Sequence, residues 1–310
     1  MRKSKSKTFR SARSKWFYIG FMALPLLQFC IFYIGVNFNS LLLAFKTISF
    51  NGETKQYYTS AFNFDNFVRW FADENERNVL IPALLTSLKS YAISLGVGVP
   101  LGLFFSYYIF KRLPGAMFFR FMLFMPSIIA SIVLVTIYYY FTDNVVPEML
   151  KIFGIKLESK LLSSEKTRYA TVMFYNLFVG FGTTVLLYSN KMATISPEII
   201  EAAELDGTNS FGEFFHIVLP QTFSTLSVFL VTGIAGIFIN EINNFSFFKY
   251  DYKTDTATLG FLMYLRAQRA KSDESQYPPL AALGVMMSLV AIPLTFLVRG
   301  LLSKVGPSED

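Results

Sequence analysis

The stretch Glu201 to Pro220, "EAAELDGTNSFGEFFHIVLP", separates two long apolar runs and is neither apolar nor equipped for catalysis. It divides into two helical pieces. In "SPEIIEAAELDG", Ser196 is placed as an N-cap, Pro197 falls at the first helical position and Gly207 is the terminator. In "SFGEFFHIVLP", the helix restarts at Ser210, Glu213 three residues later completes a capping box, and Pro220 is expected to end it. A helix, a glycine turn and a second helix form a docking shape. Helices that rest on lipid headgroups favour Lys and Arg on their polar face. Around this stretch Lys191 stands against Glu198, Glu201, Glu204, Asp206 and Glu213, so a protein partner fits the charge better than a membrane surface does.

The surroundings are those of a membrane protein. Of 310 residues, 53% are hydrophobic, 17% aromatic and only 16% charged, which is too apolar for an ordinary soluble domain. The formal charge of +7 does not mark a nucleic-acid face, because much of the excess sits in one tail. There Arg2, Lys3, Lys5, Lys7, Arg10, Arg13 and Lys15 have no acidic neighbour, a pattern suited to anionic lipid. The single cysteine, Cys30, excludes an intrachain disulfide and a multi-cysteine metal site.

A transmembrane helix needs about 20 mostly apolar residues. Six segments meet or approach that length: Trp16 to Ala44, Ser90 to Phe110, Phe118 to Phe141, Tyr169 to Tyr188, Phe223 to Ile242 and Leu280 to Leu302. The fold expected is therefore an all-α polytopic membrane protein. Its domain plan is a basic cytoplasmic tail (1–15), a transmembrane domain (16–302) with a core of about 88–302, and a short cytoplasmic tail (303–310). The first apolar run is too long for a signal peptide and lacks a small-residue cleavage site, so it is read as a retained span. The basic amino terminus is expected inside, and six crossings return the carboxyl terminus, flanked by Arg299 and Lys304, to the same side. The connection "KRLPGAMFFR", Lys111 to Arg120, also fits the inside. The long outer segments Phe45 to Lys89, Thr142 to Arg168 and Asn243 to Pro279 carry little weight by that rule. The helix-turn-helix loop, 190–222, then lies in the cytoplasm between the fourth and fifth helices.

At this loop the sequence resembles the membrane subunits of binding-protein-dependent ABC importers. Their loop reads Glu-Ala-Ala, three residues, Gly, nine residues, Ile, any residue, Leu, Pro. Glu201, Ala202, Ala203, Gly207, Ile217, Leu219 and Pro220 keep every spacing. The segments "FNFDNFVRWFAD" and "FFRFMLFMPSIIASIV" look like the carbohydrate branch, close to the maltose-importer subunits, and the likeness covers nearly the whole chain. The resemblance implies that Glu201, Ala202, Ala203, Asp206, Gly207, Ile217, Leu219 and Pro220 form the coupling region seated in a cleft of the ATPase. Small side chains allow close seating, and Gly207 lets the backbone reverse. It also implies the partners: a second homologous permease, two ATPase subunits, an extracytoplasmic solute-binding protein, and a carbohydrate cargo.

The chain has no ATP site of its own, so ATP and Mg are expected on the partner ATPase and no cofactor on this chain. The nearest approach to a phosphate loop, "GTNSFGEF" (Gly207 to Phe214), has glutamate and phenylalanine in place of lysine and Ser/Thr. "GVGVPLG" (Gly96 to Gly102) has the wrong spacing for a dinucleotide fingerprint. Ser94, Gly98, Gly102 and Ser106 instead recur every four residues as a stripe for close helix packing.

Polar residues within spans usually face a protein interior or a cavity. In "IFINEINNFSFF", Asn240, Glu241, Asn243 and Asn244 stand beside Phe238 and Phe245, a combination that hydrogen-bonds hydroxyls and stacks on a sugar's apolar face. The same residues fit a solvated helix end equally well, and the resemblance favours the pathway. On the fourth span the resemblance brings "VGFGTT" to the sugar-contact stretch, with Gly180, Phe181 and Thr183. Thr183 replaces an expected aromatic and Glu241 an expected amide, departures that put maltose itself in doubt. His216 is read as a packing or surface residue, Tyr138 to Tyr140 as an interfacial aromatic belt, and Pro126 and Pro293 as kinks.

The function expected is one non-catalytic half of an ATP-driven sugar importer in a bacterial-type cell membrane, both termini cytoplasmic. A permease of the same superfamily for peptides or amino acids is the nearest rival. A proton-coupled secondary carrier built on Glu241 would show inverted repeats, and a membrane enzyme would show a zinc or nucleophile motif. Neither signature is present in the sequence.

Overall fold

The computed structural model describes residues 12–51, 56–59, 62–155 and 159–306. Most of the basic tail (1–11) and the last residues, 307–310, lie outside the described residues. Two compact units are present: Met1–Trp70 with Ala270–Met286, and Phe71–Arg269 with Met287–Asp310.

In chain order the helices are α1 (Trp16–Leu43), α2 (Asp65–Ala72), α3 (Glu74–Phe110), α4 (Ala116–Ile128), α5 (Ser131–Ile152), α6 (Glu165–Met192), α7 (Pro197–Leu205), α8 (Ser210–Gly236), α9 (Asn244–Phe248), α10 (Leu259–Ala270) and α11 (Glu274–Val305). Five of them, α1, α3, α6, α8 and α11, are long and apolar enough to cross a membrane, and α4 with α5 forms a bent apolar pair that counts as a sixth span if its two helices cross together. The helical architecture matches the expectation, with five or six spans where six were expected.

Three details differ. The third span is broken, with α4 and α5 meeting at 106°. The break falls at Ile129, which is extended, and Ala130, whose ψ of 131° is also non-helical, three residues beyond Pro126. The second span begins earlier than Ser90. Asp73 caps α3 by accepting from the Asn75 backbone N–H (2.9 Å), and Glu74 and Glu76 favour the positive end of the helix dipole. At 37 residues α3 is roughly 55 Å long by the standard rise, well beyond a hydrocarbon core of about 30 Å. A short antiparallel ladder pairs β1 (Ile48–Asn51) with β2 (Gln56–Thr59), Ile48 opposite Thr59, in the connection after α1.

Pro220 does not end its helix, contrary to the sequence expectation. A proline removes one N–H and its ring collides with the carbonyl four residues earlier. That carbonyl belongs to His216, inside a π turn that runs Phe214–Val218. Widening the turn accommodates the clash, and the helix continues to Gly236. The same arrangement recurs at Pro100 after the π turn Ser94–Gly98 and at Pro147 after Phe141–Val145.

In the first unit, the Asn66 amide donates to the carbonyls of Ala44 (3.0 Å) and Lys46 (2.7 Å), fastening α2 to the end of α1. The buried Trp70 indole donates to the Pro279 carbonyl at 2.8 Å. Along α1 the residues from Trp16 to Leu42 are exposed, Cys30 among them, so this span offers its whole apolar surface to lipid or to another subunit.

In the second unit, the small-residue stripe of α3 packs on α6. A Cβ on Gly102 would lie 2.8 Å from the Thr184 methyl, and one on Gly98 would lie 3.1 Å from Leu177. The Ser106 hydroxyl lies 2.6 Å from the Gly102 carbonyl and 3.0 Å from that of Val185 on α6. The α4 backbone crosses α6 at Gly182, where any Cβ would overlap the Leu123 carbonyl. Tyr138 is part of this core and not of an interfacial belt. Its ring meets Tyr175 at 5.1 Å and Phe247 at 6.1 Å, and its hydroxyl donates to the Thr171 carbonyl (2.9 Å). Tyr140 stays exposed.

Candidate functional site

The Glu201 loop is built on a buried apolar base. Leu103, Tyr188, Met192, Ile195, Phe214 and Val218 form one cluster, with Ile200 of α7 and Leu219 of α8 packed against it. Helix α7 begins with Pro197 and ends in a left-handed glycine, Gly207 (φ +75°). The Thr208 N–H reaches the Ala203 carbonyl (3.0 Å) and the Gly207 N–H reaches that of Glu204 (3.1 Å), the paired bonds of a Schellman motif. Ser196 occupies the N-cap position without a side-chain bond.

The capping box expected from Ser210 and Glu213 does not form. Asn209 caps α8 by accepting from the Gly212 N–H at 2.7 Å. Glu213 turns inward instead, its side chain 3% exposed, and meets Lys111 Nζ at 3.1 Å and the Tyr107 hydroxyl at 3.1 Å. Lys111, at the end of α3, also reaches Glu204 Oε1 at 2.8 Å. Burial pulls the Lys111 ammonium down, but the hydrogen bonds to Glu204 and Glu213 outweigh it and hold the group above its ordinary value. One cation thus ties both halves of the loop to the second span.

The outward surface of this loop carries Glu201, Ala202, Asp206 and Gly207, all exposed. Leu205 is 89% exposed and Phe211 71%, two large apolar side chains on the outer face of the loop. Sequence reasoning missed both, although the turn chemistry of Gly207 already left Leu205 at a helix end. Ala203 is buried, and Ile217, Leu219 and Pro220 are partly buried, so these four anchor the loop. His216 is exposed and lies 3.0 Å from the Gly212 carbonyl, a surface residue.

A separate cavity of about 700 Å³ opens among α3, α6, α8 and the segment that follows Gly236. It brings together Gly180, Phe181, Asn240 and Glu241 of the sequence candidates, with Ser87, Ser90, Tyr91 and Asn176. One oxygen of Glu241, Oε2, is buried without a hydrogen-bond partner among the described residues. Helix α8, the expected fifth span, ends at Gly236, before the polar residues, so these belong to a turn and not to that helix. Gly260 makes room for that turn, since a Cβ there would overlap the Ile239 carbonyl.

Three candidates play other parts. Thr183 is exposed and does not line the cavity, whereas its neighbour Thr184 does. Asn243, left-handed at φ +58°, donates to Asn176 Oδ1 (2.8 Å) and accepts from the Ser131 hydroxyl (3.0 Å). Asn244 is fully buried and donates to the carbonyls of Glu241 (2.8 Å) and Thr256 (2.9 Å). The last two hold the turn in shape. Ser87, Ser90, Tyr91 and Ser94 are spaced three and four apart, a polar helical face that could have been found from the sequence.

A family model described as "Binding-protein-dependent transport system inner membrane component" matches residues 98–307. The probable ABC transporter permease protein YurN of Bacillus subtilis (strain 168) is 28% identical over 222 residues, 69% of this chain and 73% of YurN. The multiple sugar-binding transport system permease protein MsmF of Streptococcus mutans is 25% identical over 285 residues, 89% of this chain and 92% of MsmF. The maltose/maltodextrin permease MalF of Escherichia coli (strain K12) is 23% identical over 193 residues, 60% of this chain but 37% of MalF, so the match spans little more than a third of that protein. In fold, the chain is similar to a solved bacterial ABC transporter involved in the import of the acidic polysaccharide alginate, with a TM-score of 0.78 at 19% identity over 95% of this chain and 98% of that one. The chain belongs to the family of binding-protein-dependent transport system inner membrane components.

Proposed function

We propose that this chain is one transmembrane half of an ATP-driven importer that moves a sugar or oligosaccharide across the cell membrane by alternating access. The observation that carries the reading is the Glu201 loop: a capped, exposed helix with Glu201, Ala202 and the bare apolar Leu205 outward, tied by Lys111 to a membrane-length helix. An exposed apolar side chain on the same short helix as the exposed carboxylates Glu201 and Glu204, with Asp206 exposed at its C-cap, is suited to a groove on a folded partner. In this reading the partner is an ATPase subunit that binds ATP and Mg, this chain performs no catalysis, and the loop and both termini are cytoplasmic. Closure of two ATPases would displace α7 and with it the helices to which Lys111 and α8 belong.

The cavity beside Glu241 is the proposed cargo pathway. Its hydroxyls, amides and aromatic walls suit a polyhydroxylated solute, and the names of MsmF, MalF and the alginate importer support a carbohydrate. The pathway would be completed by a second permease and fed by an extracytoplasmic solute-binding protein, a component that the family description and the alginate complex with its periplasmic protein both support. Purification of the chain from its native membrane in mild detergent, with copurifying proteins identified by mass spectrometry, tests the proposal. A second six-span permease and an ATPase are expected. Recovery of the chain alone, still competent for transport, would overturn it.

A further inference from the structure

A second cleft, of about 680 Å³, lies between α8 and the end of α11, reaching the Glu201 loop's anchor at Pro220 and meeting the cavity beside Glu241 only at Thr232. Two cations line it, Lys191 at the end of α6 and Arg299 on α11, and among the described residues no carboxylate does. Neither cation forms an ion pair among the described residues. Around them stand the hydroxyls of Ser224 and Ser227, and that of Ser227 is shielded from solvent without a hydrogen-bond partner among the described residues, while the Ser303 hydroxyl donates to the Gly300 carbonyl (3.0 Å). Two unneutralised cations with hydroxyl donors are what a phosphate-bearing anion requires.

The shape of the cleft narrows the choice of anion. Along α8 it runs from Pro220 to Thr232, twelve residues or about 18 Å of helix. The polar groups Lys191, Gln221 and Ser224 mark one end, while Val228 and Val231 continue the wall towards the middle of the span. A free phosphate would use only the charged end. A lipid would use both, with its headgroup between Lys191 and Arg299 and an acyl chain against the valines. We infer that this cleft is a binding site for a phospholipid with an anionic headgroup, held between the fifth and sixth spans by Lys191 and Arg299.

The test uses the assembled transporter in nanodiscs of phosphatidylcholine doped with phosphatidylglycerol, with retained lipid counted by native mass spectrometry. Each basic side chain near anionic lipid is worth roughly a fivefold change in affinity, so Lys191→Gln with Arg299→Gln is expected to weaken phosphatidylglycerol retention about 25-fold. Retention of phosphatidylcholine should not change. Ser227→Phe, which keeps both charges and fills the wall, should also expel the lipid. A variant-free measurement runs beside these: diazirine-bearing phosphatidylglycerol should label peptides within 220–232 and 299–306 of the unaltered chain. Equal retention in the double variant would overturn the inference. So would displacement of the lipid by millimolar inorganic phosphate, which would mark a free-phosphate site, or a photo-cross-linker at Val231 that reaches a partner subunit and no lipid.

Discussion

Replacing Lys111 by methionine removes the charge that ties α7 and α8 to the second span while keeping an unbranched apolar stem one atom shorter. Its two ion pairs are not equal. The Glu204 side chain is 58% exposed, and a pair of that kind is worth about 0.2–1 kcal/mol. Glu213 is 3% exposed and Lys111 22%. Stripping the cation from a fully buried pair costs about 3–5 kcal/mol. Lys111 keeps some contact with solvent and the Tyr107 hydroxyl still serves Glu213, which lowers the expected cost to about 2 kcal/mol. That is roughly a thirtyfold shift from docked towards released loop. Hydrogen exchange of the assembled complex reads it directly, and amides of the Glu201 loop should exchange about thirtyfold faster while the middle of α6 keeps its protection. Folding raises the Lys111 pKa, so its contribution is present in full below the ordinary lysine value and is lost as pH rises through the raised one. Corrected protection in the unaltered protein should therefore be flat from neutral pH to about 9. Adding Glu213→Gln to the methionine variant removes the stranded carboxylate and should restore most of the protection. The reasoning is refuted if the double variant exchanges as fast as the single one, or if Glu204→Gln alone has the larger effect.

Glu201→Ala and Leu205→Glu should each lower solute uptake per ATP hydrolysed in proteoliposomes while binding of solute by the external protein is unaffected, and unchanged stoichiometry in both would remove the loop from coupling. Asn244→Leu should reduce the yield of assembled complex, because it strands the buried Thr256 carbonyl at about 1–3 kcal/mol, while the Glu241 carbonyl keeps the Asn244 backbone N–H; Glu241→Gln should assemble normally and change only transport. The reverse pattern, measured by size-exclusion chromatography and uptake, would exchange their roles. Gly182→Val should block assembly outright, since even a Cβ overlaps the Leu123 carbonyl, and recovery of a normal complex would show that α4 does not cross α6 as described.

The spans were legible because lipid imposes a length and a composition that a single sequence displays, and the Glu201 loop because its glycine and its N-terminal proline act locally. What was lost depends on residues far apart in the chain. Nothing near Glu213 announces Lys111, 102 residues away, and without that partner a capping box is the natural reading. Pro220 was misjudged for a different reason: proline stops an α-helix, but a π turn upstream relieves the clash, and three of the prolines use that device. At the cargo cavity the residue types were readable and their directions were not. Asn243 and Asn244 look as available as Glu241 until the turn after Gly236 shows both amides hydrogen-bonded within the protein.

The unbroken course of α8 has a mechanical consequence. Its 27 residues make a bar of about 40 Å, one end in the exposed loop and the other at Gly233 and Gly236 on the cavity wall. With no joint at Pro220, a push on the Ser210 end is not absorbed where the helix enters the apolar region. A tilt of about 10° about that end would sweep the Gly236 end through roughly 7 Å, about one and a third turns of helix rise. That stroke is comparable to the width of a sugar ring with its hydroxyls, so in the proposed importer the lever's travel and the size of its load would be matched within one continuous piece of backbone.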